Sequence, residues 1–229
     1  TDTANLEYFR GKTLGWSHFD LVTSNLGGGT GSNTGVGARG LFGGSGDPAD
    51  GRQDILFLTV STLGDTQVFG DLSSAKYATA GLGSRVRGVF AGGYNPSQVS
   101  TIEFVTFASL GDVTNFGDMS YVARDLGGLA SATRGLFFGG ISTPNSPSGT
   151  NAIEYITIAS EGNAVNFGDA HAAAEGMAGM SSSTRGLICG GHPADNTISF
   201  VTISTTGNVT DFGDMQAQRW TFATGSNST

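Results

Sequence analysis

Residues 134–169 read RGLFFGGISTPNSPSGTNAIEYITIASEGNAVNFGD, and the organisation of the whole chain follows from this stretch. It carries three landmarks in order: an Arg-Gly-apolar segment closing on Gly139-Gly140, an apolar run from Ile153, and Phe167-Gly168-Asp169. All three return in the same order elsewhere. The first recurs as RGLFGG from Arg39, RGVFAGG from Arg87 and RGLICGG from Arg185. The second recurs as DILFLTVS from Asp54, IEFVTFAS from Ile102 and ISFVTIS from Ile198. Phe-Gly-Asp stands again at 69–71, 116–118 and 212–214. A period of about 45–51 residues is the mark of a repeat architecture, in which each unit is one supersecondary element.

Each unit reads as four strands. A small-residue segment after Phe-Gly-Asp, such as GLASAT at 128–133, suits an innermost strand beside a crowded axis. The Arg-Gly segment is the second strand. The third, of the IEYITIAS type, is apolar on both faces, as a strand between two neighbouring sheets must be. A Gly-Asp or Gly-Asn pair follows (Gly64-Asp65, Gly111-Asp112, Gly162-Asn163, Gly207-Asn208), the residues of a two-residue hairpin with positive φ. The fourth strand is then expected to end at Phe-Gly-Asp. No 3.6-residue apolar period persists, so helix is not expected.

The termini complete the pattern. Leu6-Glu7-Tyr8-Phe9 has the character of a third strand, and RWTFATGSNST from Arg219 that of an innermost one. The expectation is a single all-β domain over 1–229, a five-bladed ring whose last blade is shared between the termini. Its units are 1–27 (partial), 28–75, 76–122, 123–173, 174–218 and 219–229 (partial). Sharing a blade in this way removes exposed strand edges.

Composition agrees. Gly is present 38 times, as many short strands and tight turns require. The formal charge of −8, with only 11 basic residues, argues against a phosphate-binding surface and hence against nucleic acid. No apolar run approaches the ~20 residues of a membrane span, and the N-terminus lacks signal-peptide character. The single Cys189 excludes an intrachain disulfide.

A Gly pair closing the second strand, an aromatic in the third, another in the fourth, and a basic residue shortly after (Lys76, Arg124, Arg219) resemble kelch-type propeller repeats across essentially the whole chain. Phe stands where Trp is frequent in that family. The added Arg-Gly and Phe-Gly-Asp resemble propeller repeats in structural and tail-associated proteins of tailed bacteriophages, especially marine ones. That resemblance implies a virion structural protein, assembled in the host cytoplasm. It would sit in a tail, fibre or capsid-surface appendage among other virion proteins, as a homo-oligomer around a symmetric appendage. It would bind a host-surface glycan or protein, or decorate the particle. The alternative is a cellular kelch-type adaptor or lectin.

Groups that recur in every unit are expected to be structural ties, since a catalytic group is needed once. These are Arg39, Arg87, Arg134 and Arg185, with Asp71, Asp118, Asp169 and Asp214, joined by ion pairs to acids such as Asp54, Glu103 and Glu154 or by bonds to turn backbone. Thr59, Thr106, Thr157 and Thr202 belong with them. Two sets of connections vary instead: 45–53, 94–100, 141–151 and 192–196, and the segments after Phe-Gly-Asp. In a four-stranded meander both emerge on one face. The candidate ligand residues there are Tyr94, Asn95, Tyr121, Arg124, His171, His192, Asp195, Arg219 and Trp220, with Lys76 and Tyr77 beside them. Aromatic and planar polar groups suit glycan or protein recognition.

No catalytic residue, cofactor or metal is expected. His18, His171 and His192 have no metal-ligand spacing. Asp47, Asp50 and Asp54 miss the order of a calcium loop, and GTGSNTG at 29–35 lacks the strand-turn-helix context of a phosphate loop. The sequons at Asn208 and Asn227 carry no weight without a secretion signal.

Overall fold

The computed structural model describes residues 39–44, 51–142 and 149–226, together with the backbone of two strands, β1 (Leu6–Phe9) and β2 (Trp16–Phe19), which pair antiparallel. Among the described residues all regular structure is strand. The first sheet is β3 (Arg39–Gly43), β4 (Arg52–Thr59) and β5 (Gln67–Lys76). The second is β6 (Ala80–Gly83), β7 (Arg87–Ala91), β8 (Val99–Thr106) and β9 (Thr114–Ala123). The third is β10 (Gly127–Ala130), β11 (Arg134–Phe138), β12 (Thr150–Thr157) and β13 (Val165–Ala174). The fourth is β14 (Ala178–Ser181), β15 (Arg185–Cys189), β16 (Asp195–Thr202) and β17 (Thr210–Arg219). Every sheet is a meander of consecutive antiparallel strands.

The core lies between sheets. One apolar cluster joins Ile55, Phe57, Phe69 and Leu72 of the first sheet to Phe90 and Val105 of the second. A second joins Val89, Ile102, Phe104 and Phe116 to Phe137, Ile156 and Ile158. A third joins Leu136, Phe138, Ile153 and Phe167 to Ile188, Val201 and Ile203. The two-faced apolar third strands exist for this reason: the second and third sheets are each covered on both sides. Fully burying one such Phe or Ile contributes about 1.5–3 kcal/mol.

Ala78, Asp125, Gly176 and Thr221, which follow the fourth strands, have φ of 50–60° and link one sheet to the next. Asp125 N–H donates to Ala78 O, Gly176 N–H to Asp125 O, and Thr221 N–H to Gly176 O, at 3.0, 3.0 and 2.8 Å. Residues beyond Thr221 continue alongside β14: the hydroxyls of Thr224 and Ser226 donate to Gly179 O and Ser181 O. The segment 222–226 thus runs beside β14 much as β14 runs beside β10, where the Ser181 hydroxyl donates to Ala130 O.

Two expectations about the repeat are corrected. The fourth strand does not stop at Phe-Gly-Asp. It bulges near the Gly and resumes pairing, Asp118 opposite Thr101 and Ala123 opposite Val99, so the variable segment behind it is largely strand. The Gly-Asp and Gly-Asn pairs do not form two-residue hairpins, because the connections span 60–66, 107–113, 158–164 and 203–209. The last three of these pairs reach back to the preceding sheet instead. Gly111, Gly162 and Gly207 N–H donate to Phe69, Phe116 and Phe167 O, and the side-chain oxygens of Asp112, Asn163 and Asn208 accept from Asp71, Asp118 and Asp169 N–H. The basic residues that follow Phe-Gly-Asp differ by one position among the units. Lys76 and Arg219 end their strands, whereas Arg124 follows one.

Candidate functional site

Two groups of side chains must be separated before a site can be assigned. The recurring arginines each lie over the aromatic ring of their own third strand, 4.1–4.8 Å from the ring centroids of Phe57, Phe104, Tyr155 and Phe200. Three of them also donate to a backbone carbonyl of the next sheet: Arg39 to Phe107, Arg87 to Ile158 and Arg134 to Ile203. The Arg87 guanidinium also meets Glu161 at 2.9 Å. The Phe-Gly-Asp carboxylates of Asp71, Asp118, Asp169 and Asp214 are exposed, and it is the backbone N–H of the first three that bridges sheets. Thr59, Thr106, Thr157 and Thr202 close the third strands, their carbonyls accepting from the N–H three residues on.

The acids of the third strand meet the preceding sheet. Glu103, 1% exposed, accepts from the Ser73 hydroxyl and from Lys76 Nζ at 3.0 Å, and Lys76 is itself buried. Glu154 accepts from the Ser120 hydroxyl and N–H. In the fourth sheet the same place is held by Ser199, whose hydroxyl lies 3.2 Å from His171 Nδ1. His171 Nε2 is 3.0 Å from Asp195 Oδ2, though off the line of a hydrogen bond. Ser199, His171 and Asp195 are the residue types of a hydrolytic triad. Ser199 is only 1% exposed and stands in the position of the tie-forming Glu103 and Glu154, so this trio joins sheets and offers no accessible nucleophile.

Burial pushes the Asp195 carboxyl up, but the Thr197 N–H and hydroxyl and the neighbouring His171 outweigh it and hold the carboxyl below its usual range. A lowered carboxyl stabilises the fold above its unfolded value, near 3.9, and loses that contribution as pH falls through the folded value. The unfolding midpoint of Asp195→Asn is therefore expected to lie below that of the parent at neutral pH. The gap should close below about pH 4, as thermal unfolding across a pH series will show.

What remains is a row of unrepeated side chains at equivalent positions, where the residue behind each fourth strand bridges to the connection after a Gly pair. Tyr77 bridges to Tyr94, Arg124 to Ile141 and Glu175 to His192. The Tyr77 and Tyr94 rings lie 5.2 Å apart, and the Arg124 guanidinium lies 5.9 Å from Tyr94 while pairing with Asp125 at 2.8 Å. The His192 ring lies 5.7 Å from Trp220, with Glu175 at 3.4 Å. His192 and Trp220 are more than half exposed, and Asn95 and Arg219 are exposed too. These groups form a ledge of planar faces and charged rims.

Of the candidate ligand residues, Tyr94, Asn95, Arg124, His192 and Trp220 thus belong to this edge, with Arg219 adjoining. Tyr121, His171 and Asp195 are strand residues turned toward packing. The Tyr121 hydroxyl donates to Gly139 O, and burial, then the nearby Glu154 carboxylate, raises its phenol. Lys76 is in the interior as well. Glu175 escaped the sequence reading, yet it occupies the repeat position of Tyr77, Arg124 and Trp220, and aligning the units on that position would have found it.

Asp47, Asp50, His18, residues 29–35 and Asn227 lie outside the residues whose side chains are described. Among the described residues no group of three or more His, Cys, Asp and Glu is arranged to hold a metal ion, and no helix is long and apolar enough to cross a membrane. The Cys189 thiol is buried, which raises it. Comparison of the sequence with protein-family models and with curated proteins finds no match.

Proposed function

We propose that the chain is a kelch-like β-propeller of five units, shared at one unit between the two ends of the chain, and that it acts by recognition and not by catalysis. The observation that carries this reading is the division of its polar groups. The buried charges that recur are consumed between sheets, while the unrepeated aromatic and planar polar groups gather along one edge. Stacked rings with an adjacent guanidinium and carboxylate suit the apolar face and hydroxyl rim of a sugar, or a planar peptide side chain. Resemblance of the repeat extends the proposal to a bacteriophage virion. There the chain would be an appendage protein that contacts other virion proteins and binds a host-surface glycan or decorates the particle.

Two measurements test this. Mass spectrometry of purified virions should find the protein, and a glycan array built from host-surface polysaccharide should retain it. Trp220→Ala and Arg124→Ala should each weaken that retention about tenfold while leaving the unfolding midpoint nearly unchanged. Absence from virions together with no retention would overturn the reading. Retention of a host-encoded protein partner instead would support the adaptor alternative.

A further inference from the structure

The outer face of the fourth sheet carries the same groups as the three described interfaces, but no described residue covers them. Phe69, Phe116 and Phe167 are buried at 3%, 3% and 2% exposure, whereas their counterpart Phe212 is 52% exposed. A side-chain carbon on Gly70, Gly117 or Gly168 would strike the carbonyl of Gly111, Gly162 or Gly207, while Gly213 faces open space. Arg39, Arg87 and Arg134 each reach a carbonyl of the following sheet, and Arg185 is exposed. Lys76 is buried against Glu103, and Arg219, at the same position, is exposed.

The β1–β2 hairpin has the register this face calls for. In the second and third sheets the third-strand acid stands opposite the residue before the Phe of Phe-Gly-Asp: Glu103 opposite Asn115 and Glu154 opposite Asn166. In the hairpin Glu7 stands opposite His18, and Phe19 follows. Counting on from the acid, Gly15 falls where Gly111 and Gly162 fall. We infer that this hairpin docks on the open face of the fourth sheet, with Glu7 paired to Arg219 as Glu103 is paired to Lys76. Two features argue for this occupant: continuity with three interfaces of one design, and a carboxylate supplied where the face presents a guanidinium.

The inference rests on the five-unit ring, and its test separates the two. In the full chain, Arg219→Glu and Glu7→Arg should each lower the unfolding midpoint by roughly 5 °C, and the double reversal should recover more than half of the loss. In a second variant, Cys at 7 and 219 should be joined within one chain by a short bifunctional thiol reagent. Additive losses without recovery would overturn the Glu7–Arg219 pairing even if the cross-link forms, in which case the ring stands. Failure of the cross-link would remove ring and pairing together. A cross-link found only between two chains would assign the face to a second copy and overturn the intrachain docking.

Discussion

Glu103→Ala is expected to destabilise the fold by about 3–5 kcal/mol, measured by denaturant unfolding at neutral pH. Glu103 and Lys76 are both almost fully buried and 3.0 Å apart, and the same carboxylate also accepts from the Ser73 hydroxyl. Removing the carboxylate leaves an ammonium in the interior between two sheets with no opposite charge. That desolvation cost, more than the lost attraction, sets the size of the effect. The paired replacement Lys76→Met with Glu103→Leu should consequently be much milder, within about 1–2 kcal/mol of the parent, because neither charge is then stranded. A large coupling energy in that cycle identifies an inter-sheet tie. Equal and additive losses would place the two residues in independent roles.

Gly168→Ala should be nearly as damaging, at about 3–5 kcal/mol, and Gly64→Ala should cost only about 1–2 kcal/mol. Both glycines have φ near +154°, where an L side chain is strained, so the backbone contribution is shared. They differ in their surroundings. A Cβ on Gly64 meets nothing within 4 Å, whereas one on Gly168 runs into the Gly207 carbonyl of the next sheet. The excess loss at Gly168 therefore measures how closely two sheets approach at Phe-Gly-Asp. Equal losses at the two sites, read from the same unfolding experiment, would mean the sheets part easily there.

Much of this arrangement is legible in the sequence because the repeat repeats its physics. The Arg-Gly and IEYITIAS segments form paired strands, and their two-faced apolar pattern requires neighbours on both sides. What escapes a linear reading is interaction between units. Gly111-Asp112 looks like a hairpin turn, since its φ demand is the same, but its partner is the backbone of a strand some forty residues earlier. Likewise His171 reads as a variable loop residue, because the bulge that carries the fourth strand past Phe-Gly-Asp leaves no mark in composition. Lys76 reads as a surface cation for a related reason: only the fold brings Glu103 beside it. The edge formed by Tyr94, Arg124, His192 and Trp220 was accessible from variation alone, and Glu175 required knowing that the residues behind each fourth strand are equivalent.

The central claim, that successive sheets stack around a common axis with the two ends of the chain meeting in one unit, is tested most directly by an experimental structure of the full chain. The expected result is five sheets in a ring, with β1 and β2 seated on the fourth sheet and residues 222–226 as the innermost strand of the fifth unit. Sheets stacked as an open sandwich, with that hairpin elsewhere, would contradict it.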